Sequence, residues 1–153
     1  MIFTVLMLLA SIAPSNKTSW MRPELFHLII GMPREQAVKT LEQNGWKPKR
    51  GDHENEVIVD YSDERTLKLQ FRRDRLNALD FELFALLPEA KTAFVEQREA
   101  LAAKLGAPRK ALPSILVYDD RLPNVMVVLS ADPKSEQGRR GLGMLVVRYY
   151  DPR

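Results

Sequence analysis

The chain has 153 residues, no cysteine, and a formal net charge of +3 from 23 Lys and Arg against 20 Asp and Glu. A chain of this length forms one domain and buries about 70% of its unfolded surface, enough for a core without disulfides or bound metal. The lack of cysteine excludes disulfides, thiol nucleophiles and zinc–thiolate sites.

Residues 1–13 are an uncharged apolar run that ends in small residues. The run is too short to cross a bilayer as a helix, which takes about 20 residues, but it is typical of the apolar region of a secretory signal. No Lys or Arg precedes it, so a first strand or a buried helix remains the alternative. Residues 14–24 are polar and predict a linker, and residues 25–153 then form the single folded domain. We expect a periplasmic or secreted protein of a bacterial envelope.

Two segments have the apolar spacing of amphipathic helices. The first begins near Pro33, which suits the first helical turn, and ends at Gly45, which can adopt the left-handed stop. The second runs from Pro88 to Gly106. Their apolar stripes contain Ala37, Val38 and Leu41 in the first helix and Ala90, Phe94, Leu101 and Leu105 in the second.

Three segments between the helices alternate apolar and polar residues, which is typical of antiparallel strands, and three further strand-like segments follow the second helix. Three follow each helix. We therefore predict an α+β fold of two helix-plus-three-strand units in tandem, over about residues 30–84 and 86–150, that form an antiparallel sheet with the helices packed on one face. The strands are predicted at residues 57–61, 67–71, 79–83, 114–118, 125–130 and 142–150.

The segment Ile30–Gly45, which opens with Gly-Met-Pro-Arg-Glu after Ile30, resembles the first helix of the SmpA/OmlA-type outer-membrane assembly lipoproteins. Those proteins share a helix-plus-antiparallel-sheet fold with the β-lactamase inhibitory proteins, and the doubled layout is more similar to the inhibitory proteins. Pro33 stands where that family has a Thr or Ser cap, and the lipid-bearing cysteine is absent. The resemblance implies a periplasmic or secreted adaptor or inhibitor without enzyme activity.

No set of side chains has the spacing of a catalytic, cofactor or metal site. His27 and His53 fall in different elements, and the glycine-bearing segment 138–143 lacks the Lys-Ser/Thr pair of a phosphate loop. Asp80 and Glu82 are expected to point outward beside polar and cationic residues of the neighbouring strand (Lys68, Gln70 and Arg72). We predict no catalytic residue, no cofactor and no metal.

Two other functions remain open. A small-molecule hydrolase would use surface carboxylates such as Asp119 and Asp120, but the sequence shows no partner that activates them. A weak nucleic-acid binder would use Arg72, Arg73 and Arg75. The remaining cations are scattered along the chain, so we do not expect nucleic acid as the partner.

The strands of the second half are apolar on both sides, so the face without helices needs a cover. Residues 25–30 fold across that face, or a partner protein or a second copy of the chain covers it. In the second case, the candidate protein-binding residues are Trp20, Val117, Met126, Val128, Val147 and Tyr149. We favour a non-enzymatic protein-binding module of the adaptor, inhibitor or immunity type, with a homo-oligomer through this half-sheet as the other possibility.

Overall fold

The computed structural model describes residues 16–119, 123–131 and 139–153. The predicted signal at residues 1–13 lies outside them. Two short 3-10 helices come first (Asn16–Thr18 and Pro23–Phe26), and the α-helices are α1 (Arg34–Gln43) and α2 (Leu87–Leu105). The strands are β1 (Lys49–Arg50), β2 (Glu56–Ser62), β3 (Arg65–Arg72), β4 (Arg75–Leu86), β5 (Lys110–Leu112), β6 (Ile115–Tyr118), β7 (Asn124–Ser130) and β8 (Leu142–Tyr150).

Within the described residues, eight strands form one antiparallel sheet in the order β1-β2-β3-β4-β8-β7-β6-β5. This confirms the α+β class and the antiparallel sheet. The prediction of three strands after each helix is wrong, because four strands follow each helix. The missed strands, β1 and β5, have two and three residues and are exposed throughout, so they carry no apolar alternation.

The two α-helices start and stop for the local reasons that the sequence indicates. Pro33 precedes α1 with an extended backbone, so the helix itself begins at Arg34. Gly45 has a φ of 84° and lets the chain reverse after α1. Gly106, with a φ of 79°, does the same after α2. In both places a side chain would strain the left-handed backbone.

The helices and alternate strand residues form one core on what we call the inner face of the sheet. Leu41 of α1 and Phe94 of α2 belong to the same buried cluster as the strand residues of that face, so both helices lie on one side, as predicted. The strand members of this cluster include Val59, Leu67, Leu69, Leu79, Phe81, Leu83, Val127, Leu145 and Val147.

Residues 16–24, predicted as part of a linker, belong to the folded domain. The Trp20 ring is 3% exposed, stacks on Tyr61 at 5.0 Å between centroids and meets Phe81 edge-on at 5.4 Å. Met21 is fully buried beside it. The prediction was wrong because two large apolar side chains within a polar stretch are enough to anchor it to a core.

The segment that follows also packs on the inner face. Phe26 and Leu28 are buried in the core, whereas His27 between them is exposed with a left-handed φ of 55°. Ile30 packs against the same core. Residues 25–30 therefore do not cover the opposite, outer face of the sheet.

Gly143 sets how closely α2 approaches the sheet. A Cβ at this position of β8 would lie 3.0 Å from Leu87 Cδ1 and 3.2 Å from Ala90 Cβ. The Leu87 amide donates a 2.8 Å hydrogen bond to the carbonyl oxygen of Gly141. The first turn of α2 thus rests directly on β8, on the inner face.

Candidate functional site: the outer face of the sheet

The outer face of β6, β7 and β8 carries a set of apolar side chains that we call the outer patch. Residues paired across an antiparallel ladder project to the same side, and the register pairs Val117 with Met126, Ile115 with Val128, and Val128 with Val146. Met144 follows on the same side of β8. The outer patch consists of Ile115, Val117, Met126, Val128, Met144 and Val146.

The described part of the chain places no α-helix over the outer patch. The core cluster contains α1 and α2 residues but none of the outer patch. Five of its six members are partly exposed, and the sixth, Val117, is 7% exposed and lies outside that cluster. The patch is thus a continuous apolar surface whose members shield one another in part.

The structure brings together three of the six predicted protein-binding residues. Val117, Met126 and Val128 belong to the outer patch. Val147 pairs with Val127 and is fully buried on the inner face, and Tyr149 pairs with Val125 on that face. The prediction that Val147 and Tyr149 share a face with Met126 is wrong. Side chains alternate along β8, so residues 144 and 146 face outward while residues 147 and 149 face inward.

Trp20 also lies away from the outer patch, since its ring is part of the core described above. Its indole Nε1 donates a 2.8 Å hydrogen bond to the carbonyl oxygen of Lys17. Ring and donor are therefore both engaged within the fold, and Trp20 presents no surface to a partner.

A row of charged side chains borders the outer patch on β3, β4 and β8. Arg148 forms a two-pronged ion pair with Asp80, at 2.6 Å from Nε to Oδ1 and 2.7 Å from Nη2 to Oδ2. Gln70 Nε2 donates to the same Asp80 carboxylate at 3.1 Å. The pairing with Asp80 raises the pKa of Arg148. Such a charge-assisted pair has fixed geometry and forms a rigid border.

A second ion pair continues this row. Lys68 Nζ lies 3.1 Å from Glu82 Oε1, whose side chain is 10% exposed. Burial raises the pKa of Glu82, and the attraction of Lys68 offsets that rise in part. Burial lowers the pKa of Lys68, but the hydrogen bond to Glu82 and the charges of Glu82, Glu56 and Asp80 together outweigh burial and leave the pKa raised. The pair therefore sits in a site that disfavours a charged Glu82.

Asp80 and Glu82 lie on the outer face, as predicted, but both are buried, at 4% and 8% exposure, and the cation that holds Asp80 was missed. Sequence reasoning placed Arg72 beside them, whereas Arg72 lies at the hairpin end and hydrogen-bonds the carbonyl oxygen of Arg153. Arg148 takes the place opposite Asp80 because β4 pairs with β8. The sequence does show Arg148 as a single cation between apolar residues of β8. It does not show that β8 pairs with β4, which is what brings Arg148 to Asp80.

The carboxylates and histidines considered for catalysis stand apart. Asp119 is half exposed and pairs with Arg109 at 2.7 Å, and Asp120 lies outside the described residues. His27 and His53 are both exposed. Across residues 16–119, 123–131 and 139–153, no three His, Asp or Glu side chains are grouped as metal ligands.

An apolar notch of about 220 Å³ opens on the other side of the molecule, between the segment before α1 and the end of α2. Ile29, which is 71% exposed, forms part of its wall with Leu28, Leu101 and Tyr149. The Tyr149 hydroxyl donates to the carbonyl oxygen of Met21. The Tyr149 hydroxyl is thus already engaged within the fold, and the charged lining residues of the notch are Glu24 and Lys104.

No described helix is long and apolar enough to cross a membrane. No family model, curated protein or solved structure matches this chain.

Proposed function

We propose that this chain is a non-catalytic, exported module that binds another protein through the outer patch. The observation that carries the proposal is an apolar sheet face that no described helix covers, while residues 25–30, the alternative cover, pack on the inner face. Exposed apolar surfaces of this kind mark interaction sites in soluble proteins.

The surroundings of the outer patch indicate the chemistry of the partner. Lys110 pairs with Val117 across the β5–β6 ladder, is exposed, and forms no ion pair with another described residue. On the opposite border, Asp80 and Glu82 are already satisfied by Arg148 and Lys68. A matching partner therefore presents an apolar surface with a carboxylate that faces Lys110.

The proposed compartment and the proposed family are inferred from the sequence. Residues 1–13 supply the signal-like run, and Ile30–Gly45 carries the resemblance to envelope adaptors and inhibitors. The two groups of four strands occupy opposite halves of the sheet, and each follows a helix. This layout supports a proposal of two tandem units, now with four strands each.

Substitutions at two adjacent residues of β7 distinguish a binding face from a core. Val128 belongs to the outer patch and is partly exposed, whereas Val127 is fully buried on the inner face. We expect Val128→Glu to leave the melting temperature nearly unchanged and Val127→Glu to unfold the domain, because a buried unpaired charge costs several kcal/mol. A collapse of both variants would show that the outer patch is core and contradict the proposal.

A photo-reactive amino acid at Met126 then identifies what binds there, with the same amino acid at Ile29 as the control on the other side of the molecule. We expect Met126 to cross-link a protein in envelope extract, Val128→Glu to abolish the adduct, and Ile29 to give none. A cross-link between two copies of this chain would show that a second copy, and not a partner protein, covers the outer patch. Equal adducts at both positions would show non-specific capture and refute the proposed site.

A further inference from the structure

The hairpin between β3 and β4 ends in an unusual turn. Arg72 pairs with Arg75, and the two residues between them, Arg73 and Asp74, have φ values of 53° and 57°. A two-residue turn with both φ values positive favours Asn-Gly, because a Cβ is strained in the left-handed region. The sequence places a cation and a carboxylate there instead.

Backbone hydrogen bonds hold this turn in place against the segment before α1. The Arg34 amide donates to the carbonyl oxygen of Asp74 at 2.8 Å, and the Gly31 amide donates to that of Leu76 at 2.7 Å. The Leu76 amide donates in turn to Met32 at 2.8 Å. The turn is therefore a fixed platform whose strained conformation the neighbouring backbone enforces.

Beside this turn lies a pocket of about 310 Å³ that we call the arginine pocket. Its charged lining consists of four guanidinium groups, from Arg72, Arg73, Arg75 and Arg153, and one carboxylate, Asp151. Arg153 Nε lies 3.2 Å from Asp151 Oδ1. The hydrogen bond from the Arg153 amide and the charges of Arg153 and Arg72 hold the pKa of Asp151 below its usual value. Asp151 is therefore the one anionic side chain among the described residues that line the pocket.

Backbone oxygens orient two guanidinium groups of the hairpin, and no described side-chain carboxylate lies within ion-pair distance of Arg72, Arg73 or Arg75. Arg75 Nη1 donates to the carbonyl oxygen of Gly31 at 2.9 Å, and Arg72 Nη1 donates to that of Arg153 at 3.1 Å. Arg73 forms no ion pair with any described residue. Each guanidinium has five N–H donors, so most donors of these three side chains remain available.

The like charges and the strained turn each carry a free-energy cost for the fold. Like charges directly opposite each other on a ladder, as at Arg72 and Arg75, destabilise a sheet. We propose that the arginine pocket binds a phosphate group, whose oxygens accept paired hydrogen bonds from guanidinium forks. This site is separate from the outer patch and independent of the function proposed for it.

Inorganic pyrophosphate, titrated into the full chain by calorimetry, tests the site directly. We expect Arg72→Ala to weaken binding about tenfold or more, as expected for a lost charge-assisted hydrogen bond. Arg73→Asn should also weaken it, and because Asn tolerates the left-handed region the fold stays intact. Arg98→Ala, which removes one exposed cation from α2, is the matched control and should change nothing.

Sedimentation with vesicles separates the two sources of a phosphate group. Binding to vesicles of phosphatidylcholine with phosphatidic acid, but not of phosphatidylcholine alone, would identify a lipid headgroup if Arg72→Ala abolished it. Binding to pyrophosphate without vesicle binding would identify a soluble phosphate compound. Binding to neither overturns the proposal, as does an equal loss in Arg98→Ala. Retention of DNA or RNA without pyrophosphate binding would also overturn it, in favour of a polyanion surface.

Discussion

The hydroxyl of Tyr149 donates a 3.0 Å hydrogen bond to the backbone carbonyl oxygen of Met21, 128 positions earlier in the chain. The Tyr149 ring also meets Phe81 edge-on at 5.8 Å. Burial raises the pKa of Tyr149, so the hydroxyl stays a donor at neutral pH. This contact fastens the segment before α1 to the last strand.

Tyr149→Phe tests that fastening. We expect it to lower the free energy of unfolding by about 1 kcal/mol, because the ring stays packed while the Met21 carbonyl loses its donor. Urea denaturation measures the loss, and limited proteolysis of residues 16–32 shows whether the segment loosens. Tyr150→Phe is the control, since this hydroxyl forms no hydrogen bond with a described residue. Equal effects of the two substitutions would contradict the proposed fastening.

Two ion pairs of the same sheet have the same N–O distance of 2.6 Å but different burial. Asp80 is 5% exposed and Arg148 is 35% exposed, whereas Lys49 and Asp60 are 58% and 57% exposed. Asp80→Asn should lower the free energy of unfolding by about 2 kcal/mol. This loss is smaller than the loss expected for a fully buried ion pair, because Arg148 still reaches water. Asp60→Asn should cost less than about 1 kcal/mol. Equal losses in chemical denaturation would mean that burial does not set the strength of these pairs.

Glu82 makes stability depend on pH. Its folded pKa is raised above the ordinary value of 4.5, so the folded state binds this proton more tightly than the unfolded chain does. The stabilising contribution of the protonated form is present below pH 4.5 and is lost as the pH rises through the folded pKa. Glu82→Gln should remove this contribution, so the wild type should lose stability relative to the variant between pH 4 and pH 7. Parallel pH profiles of the two melting temperatures would refute this.

The turn at Arg73 and Asp74 predicts a variant that is more stable than the natural chain. Arg73→Asn with Asp74→Gly should raise stability by about 1–2 kcal/mol, since both residues suit a positive φ. The matched control is Asp63→Asn with Glu64→Gly in the β2–β3 hairpin, where neither residue has a positive φ. A thermal melt should show an increase for the first pair and none for the second. A decrease for the first pair would show that the charges of this turn stabilise the fold.

Local patterns were sufficient for most of the fold. The three-to-four-residue spacing predicted α1 and α2 to within about two residues, and Gly45 and Gly106 marked their ends because glycine accepts a positive φ. The two-residue alternation predicted β2, β3 and β4, and strand-like segments that are apolar on both sides predicted β6, β7 and β8. The exposed strands β1 and β5 have no such alternation, so their place in the sheet depends on backbone pairing with β2 and β6.

The sequence by itself determined the class of the fold, the absence of cysteine chemistry, and an excess of apolar residues in the second half of the sheet. Tertiary structure decided which of those residues face outward. The pairing of β4 with β8 joins residues 56 to 72 positions apart and sets Arg148 against Asp80. Pairing on that scale depends on loop closure and on packing of whole faces, which no short window of sequence contains. The same packing buries Trp20, gathers the arginine pocket and leaves Met126 and Val128 at the surface.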